Sequence, residues 1–275
     1  MYDTLITCEH LHANYTRPDW VILDCRYDLS DTGTGLHAYK QGHIPGAVYI
    51  DLDMDLCGPL QPACGRHPLP SPERMVSLFS ELGIGPGTQA VIYDASFGAI
   101  AARMWWMLHY MGHEAAAVVD GGWQAWVKHG FEIEQKENNN SKKEFQGEVQ
   151  GRLLVTLGDF PLTTLLVDSR EPPRYRGEIE PIDPVAGHIP GAVNYYWKLS
   201  ISEDGTFYPV TRIREAMLGL FTGISPDQGV FYCGSGVTAC HNLLAARYAG
   251  LPLPRLYAGS WSEWCSDVHR PVARG

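Results

Sequence analysis

The sequence predicts an α/β protein built from two tandem domains, each a doubly wound parallel sheet with helices on both faces. Three observations predict it: a repeat spanning a whole domain, short apolar runs that alternate with helical stretches, and a polar stretch between the two copies. Gly42-His43-Ile44-Pro45-Gly46-Ala47-Val48 recurs letter for letter as Gly187-His188-Ile189-Pro190-Gly191-Ala192-Val193. Val21-Ile22-Leu23-Asp24-Cys25-Arg26 is answered by Leu165-Leu166-Val167-Asp168-Ser169-Arg170, and Val91-Ile92-Tyr93-Asp94 by Val230-Phe231-Tyr232-Cys233. Gly122-Trp123-Gln124-Ala125-Trp126 is answered by Ser260-Trp261-Ser262-Glu263-Trp264. The offsets are 144, 145, 139 and 138 residues, as expected of a duplicated domain with loop insertions rather than a solenoid.

Within each copy the elements follow in order. Residues 21–23 and 91–93 are short, continuous and apolar, the pattern of strands buried on both faces. Residues 72–82, 99–110, 212–221 and 238–248 read as helices, and those starting at 99 and 238 are entered directly from a strand and its loop. Residues 132–151 are polar and have no apolar period, so they predict a surface linker. The boundaries expected are 1–135 for the first domain, 136–151 for the linker and 152–275 for the second domain. Ligands of such sheets sit beyond the carboxyl ends of the strands, where residues 94 and 233 fall.

Composition narrows the function. A chain of 275 residues, 45% hydrophobic and 19% charged, can bury full cores. A formal charge of −10 excludes a nucleic-acid partner that requires a basic face, but leaves room for a small anion held by a few local donors. No apolar run reaches the roughly 18 residues that span a bilayer, so no membrane partner is expected. The first twelve residues carry acids and histidines where a signal peptide would be basic and apolar, which predicts a cytoplasmic protein. Seven cysteines without a CxxC argue against a disulfide framework and a zinc ribbon. Most of them, Cys240 among them, are expected to be buried thiols.

Features shared by both copies are expected to serve the fold. The GHIPGA turns belong here, with His43 and His188 bonding nearby backbone, as do the Asp24/Arg26 and Asp168/Arg170 pairs. Chemistry is sought where the copies differ. The first copy has Asp94-Ala95-Ser96-Phe97-Gly98; the second has Cys233-Gly234-Ser235-Gly236-Val237-Thr238-Ala239. Glycines let successive N–H groups turn inward as an anion-binding nest, and the helix that follows adds its positive end. A cysteine there is expected to be largely thiolate, the nucleophilic form.

Tandem GHIPGA domains, a Cys233-Gly234-Ser235-Gly236-Val237-Thr238 loop in the second, and Gly259-Ser260-Trp261-Ser262-Glu263-Trp264 near the end together resemble the rhodanese superfamily over almost the whole chain. The loop is similar to that of its 3-mercaptopyruvate sulfurtransferases; thiosulfate-preferring members usually carry basic residues inside it, and none lies between Gly234 and Ala239. The resemblance implies a catalytically inactive first domain, with Asp94 in place of the cysteine, and a ping-pong sulfur transfer through a Cys233 persulfide. The loop residues Gly234, Gly236, Val237 and Thr238 would cradle the sulfur. The donor would be a small anion, 3-mercaptopyruvate or thiosulfate; the acceptor, cyanide or a thiol. No metal or organic cofactor is implied. Arg176 matches an arginine that binds the donor carboxylate, and Ser235 a serine that relays protons, with Asp53 and His67 at the positions of its partners. A second arginine that mercaptopyruvate enzymes carry shortly before GHIPG has no counterpart in residues 178–186; Arg174 could substitute. A cysteine phosphatase would need an arginine six residues after the cysteine, where Ala239 stands. A non-catalytic binding module would usually have lost the cysteine in both copies.

Overall fold

The short apolar runs become the central strands of two parallel sheets. The computed structural model describes residues 1–160 and 164–275. They form two compact units: Met1–Cys57 with Pro70–Gln150 and Ile201–Phe207, and Gly58–Leu69 with Gly151–Ser200 and Tyr208–Gly275.

The first unit runs β1 (Leu5–Ile6), α1 (Cys8–His12), β2 (Trp20–Asp24), α2 (Thr34–Gln41), β3 (Ala47–Tyr49), α3 (Pro72–Glu81), β4 (Gln89–Tyr93), α4 (Ala101–Tyr110), β5 (Ala116–Val119) and α5 (Gly122–Lys128). Its strand order is β1-β5-β4-β2-β3, all parallel. The second unit runs β6 (Leu154–Val155), β7 (Leu166–Asp168), α6 (Pro172–Tyr175), β8 (Val193–Asn194), α7 (Val210–Leu220), β9 (Val230–Tyr232), α8 (Ala239–Tyr248), β10 (Arg255–Tyr257) and α9 (Ser260–Trp264). Its order, β6-β10-β9-β7-β8, is the same topology, again parallel.

Alternation along the strands buries both faces. In the first unit Ile22, Val91, Tyr93, Ala117 and Val119 pack with Cys8 and Leu11 of α1 and Trp126 of α5. The alternate residues Leu23, Ile92 and Val118 are buried on the opposite face, where α4 lies on β4 and β5. The second unit repeats this, with Trp261 and Trp264 of α9 on one face and α8 on the other. All ten residues of α4 are buried, as are the first eight of α8, which explains why α8 shows no amphipathic stripe. The helices expected at 72–82, 99–110, 212–221 and 238–248 are α3, α4, α7 and α8, with ends moved by at most two residues.

One buried ion pair fastens the GHIPGA turn to each sheet. Asp24 ends β2 and takes Arg26 in a bidentate pair, with Nη2 at 2.6 Å; the same Nη2 donates to the Gly42 carbonyl at 2.8 Å. Asp168 and Arg170 repeat this at 2.6 Å, with Gly187 as the carbonyl. Trp123 and Trp261 cover the guanidinium groups at 4.4 and 4.9 Å. His43 and His188 bond the Tyr39 and Tyr175 carbonyls through Nδ1, each at 2.7 Å, and stack on the same tyrosine rings. The Ile44 and Ile189 N–H groups donate to the hydroxyls of Tyr93 and Tyr232 at 3.2 Å. The turns are therefore structural, as their presence in both copies implied.

The polar stretch after α5 is laid along the first unit. Phe145 is buried against Phe79, its N–H donates to Ser80 Oγ at 3.1 Å, and the Gln150 N–H donates to the Tyr110 carbonyl at 2.7 Å. Replacing Asp168 by Ala would leave Arg170 buried beside Trp261 without its main counter-charge. The expected cost is about 3–5 kcal/mol of stability, read as a lower urea midpoint with the slope unchanged.

Candidate active site

Strand β9 ends in the middle of its sheet, and the next residue is Cys233. Its backbone is pinned from the segment that follows β10. The Cys233 N–H donates to Ser260 Oγ at 3.1 Å, the Trp261 N–H to the Cys233 carbonyl at 3.0 Å, and the Ser262 N–H to the Gly234 carbonyl at 2.9 Å. The chain then curls back, and the Gly236 N–H donates to Cys233 Sγ at 3.2 Å. Gly236 has φ +77°, and a Cβ there would stand 2.2 Å from the Ala258 carbonyl oxygen, so only glycine fits. The Cys240 thiol, on the first turn of α8, donates to the Gly236 carbonyl at 3.4 Å.

This loop sets the charge of the thiol. Burial pushes the Cys233 pKa up, but the Thr238 hydroxyl and the N–H groups of Ser235, Ala239 and Gly236 together hold it below the ordinary thiol range. Burial dominates at other cysteines: it pushes Cys8 up to about 12 and Cys57 to about 11, and raises Cys25 and Cys265. Cys233 is thus set apart from these cysteines by its N–H cradle and not by exposure; the residue is 2% exposed.

The matching loop of the first unit shows what the cradle does with a resident anion. Asp94 follows β4, and its Oδ1 accepts from the Ser96 and Gly98 N–H groups at 2.8 and 2.9 Å. Oδ2 accepts from Ile100 and Ala101 at 2.8 and 2.9 Å. The Trp123 N–H donates to the Asp94 carbonyl as Trp261 does to that of Cys233. Four donors are satisfied by the loop's own carboxylate, so this nest is filled from within.

The remaining expected residues separate into those at the loop and those elsewhere. His67 belongs to the second unit, and its Nδ1 lies 2.7 Å from Ser235 Oγ with both residues buried. Val237 is buried in the loop wall. Asp53 belongs to the first unit, where the Tyr27 hydroxyl donates to its carboxylate. Arg174 reaches the loop: its Nη1 and Nη2 lie 3.6 Å from where a Cβ on Gly234 would be, and it pairs with Glu180 at 2.6 Å and Asp183 at 3.2 Å. Arg176, expected at the donor carboxylate, ends instead in an exposed pair with Glu178 at 2.6 Å. The two arginines are two positions apart at the end of α6, a spacing that turns them to different sides of a helical turn.

Sequence reasoning missed Arg66, Asp183 and Ser260. Arg66 Nη2 is the group nearest to Gly234's absent Cβ, at 2.9 Å, and Nη1 pairs with Asp183. The one available signal was that Arg66 adjoins His67 in the Gly-Pro-rich stretch Cys64-Gly65-Arg66-His67-Pro68. Ser260 was hidden because a serine at the start of a helix usually marks a cap; here it sits at φ +55° and accepts from Cys233.

Known proteins resemble the chain along both of its halves. The rhodanese-like domain model matches residues 7–129 and again 153–267. A Pseudomonas aeruginosa protein named "Probable 3-mercaptopyruvate sulfurtransferase" is 44% identical over 98% of this chain and 98% of its own. A Mycobacterium tuberculosis protein named "Putative thiosulfate sulfurtransferase SseB" is 38% identical over 98% of this chain and 97% of its own. The solved structure of 3-mercaptopyruvate sulfurtransferase from Leishmania major superimposes with a TM-score of 0.86 at 28% identity, covering 98% of this chain and 75% of that one.

Two variants test the cradle. Thr238→Val removes a hydroxyl donor to the sulfur, so the midpoint of the pH–rate curve for Cys233 alkylation by iodoacetamide should move upward. The sign follows from the thiolate being the reactive form: fewer donors to the anion mean a higher pH before it forms. Gly236→Ala should displace the loop and cut the alkylation rate about a hundredfold.

Proposed function

The chain belongs to the rhodanese-like family along both of its halves, and on that premise we propose that it draws sulfur from 3-mercaptopyruvate and carries it as a persulfide on Cys233. It is a sulfurtransferase of the 3-mercaptopyruvate or thiosulfate type; the donor, acceptor and residue roles are the proposal. The observation that carries it is a thiol held below its ordinary pKa by backbone N–H groups, in a loop that contains no cation between Gly234 and Ala239.

The Cys233 thiolate attacks the donor's sulfur. An S–S bond forms, the donor's C–S bond breaks, and its electron pair leaves on carbon as the pyruvate enolate. The enolate takes the proton that the donor's thiol carried, giving pyruvate and an ionised persulfide, so atoms and charge balance. The hydrogen-bonded Ser235 and His67 are suited to move that proton, since the Ser235 N–H faces the Cys233 sulfur and its hydroxyl is bonded to His67. The persulfide is itself an anion, and the N–H cradle that holds the thiolate would hold its terminal sulfur. Cyanide or a small thiol then takes that sulfur and returns Cys233 to thiolate. All of these steps draw on the chain's own groups. None of the seven cysteines is in a disulfide, which suits a reducing, cytoplasmic setting.

Thiosulfate is the second reading, favoured by the name of the Mycobacterium tuberculosis relative. The two are separated by kcat/KM for each donor with cyanide as acceptor. Mercaptopyruvate should lead by about tenfold or more, about 1.4 kcal/mol of transition-state preference, and Cys233→Ser should abolish both reactions. A lead for thiosulfate would reverse the donor assignment.

A further inference from the structure

We infer that Arg66 is a donor-binding residue that, beside Arg174, grips the carboxylate of the sulfur donor at the Cys233 loop. The inference rests on the reading of the donor as a carboxylate-bearing thiol, and it names the group that recognises that carboxylate.

The loop supplies the space. Gly234 follows the nucleophile directly and has no side chain; Arg66 Nη2 comes within 2.9 Å of the position a Cβ would take, and the Arg174 guanidinium within 3.6 Å. Two forks therefore converge on one residue of the cradle, a geometry that suits a planar carboxylate better than a point charge would. In mercaptopyruvate the carboxylate lies three bonds from the transferable sulfur, so a sulfur poised at Cys233 leaves the carboxylate near the residue next to it.

Arg66 is held, not loosely present. Its N–H donates to Ser262 Oγ at 3.1 Å, and a Cβ on Gly65 would stand 2.5 Å from the Gly259 carbonyl oxygen. Its neighbour His67 is bonded to Ser235. The same segment that pins the Cys233 backbone thus pins Arg66. Asp183, only 2% exposed at its side chain, pairs with Arg66 through Nη1 and with Arg174 through Nη2 at 3.2 Å, so one carboxylate sets the spacing of both guanidinium groups. Burial lowers the pKa of Arg66, Cys233's charge raises it and Arg174's lowers it, which places thiolate and both cations in one electrostatic neighbourhood.

Position also explains a gap. Residues 178–186 hold no arginine, but they hold Glu180 and Asp183, the acids to which the arginines at the loop are anchored. The stretch supplies anchors, and the second cation comes from residue 66.

The test compares iodoacetate with iodoacetamide, which alkylate the same sulfur and differ in the carboxylate. In Arg66→Gln the iodoacetate-to-iodoacetamide rate ratio should fall about tenfold, and KM for mercaptopyruvate should rise about tenfold with kcat changed less than about threefold. Arg66→Lys, which keeps the charge but not the fork, should fall between. It serves alone if the Gln variant does not fold. An unchanged ratio in a folded variant overturns the inference, and so does an equal fall in both alkylation rates, which marks a purely structural role. If the wild type prefers thiosulfate while the ratio still falls, the donor assignment fails and Arg66 as a carboxylate-binding residue stands. If the wild type prefers mercaptopyruvate and the ratio is unchanged, Arg66 alone is refuted.

Discussion

A negative charge at the end of a buried strand has to be met by donors that come from the chain itself, because burial removes the water that would otherwise stabilise it. The loops after β4 and β9 solve this in the same way, with successive N–H groups curled inward. The geometry around Cys233 follows from that requirement. Gly236 must take a positive φ, Ser260 must accept from Cys233, and Trp261 must be fully buried so that its N–H stays on the Cys233 carbonyl. The thiol pKa is thereby held down at Cys233, where burial alone would raise it, as it does at Cys25.

The buried Asp–Arg pairs serve the same end from the other side. They cost desolvation, and they are tolerated because each guanidinium also bonds a turn carbonyl and lies under a tryptophan. Each pair fixes where β2 or β7 stops relative to the GHIPG turn. Trp261 links the two systems, covering Arg170 while its own N–H holds Cys233.

Much of this was legible in the sequence, because a duplicated chain carries its own control. The repeat separated the shared turns and ion pairs from the one position where Asp94 faces Cys233, and short apolar runs placed both at strand ends. The rest was not legible, for physical reasons. Arg174 and Arg176 are equally basic on paper, and only the turn of α6 decides which one reaches Gly234. Arg66 lies far from Cys233 along the chain, so its place at the loop is a purely tertiary fact. The stretch 136–151 looked featureless because most of its side chains are exposed, while its backbone bonds to the first unit and Phe145 is its buried anchor.

The self-filled nest at Asp94 also bears on how such a chain can change over generations. No single base change turns an aspartate codon into a cysteine codon; the route passes through tyrosine or glycine. Glycine would leave four inward N–H groups facing nothing, and a tyrosine ring would have to enter a space shaped for a carboxylate. Both intermediates are penalised by the fold before any question of activity arises. The carboxylate and the thiol at this position are therefore two base changes apart, with a barrier between them that the loop itself imposes in either direction.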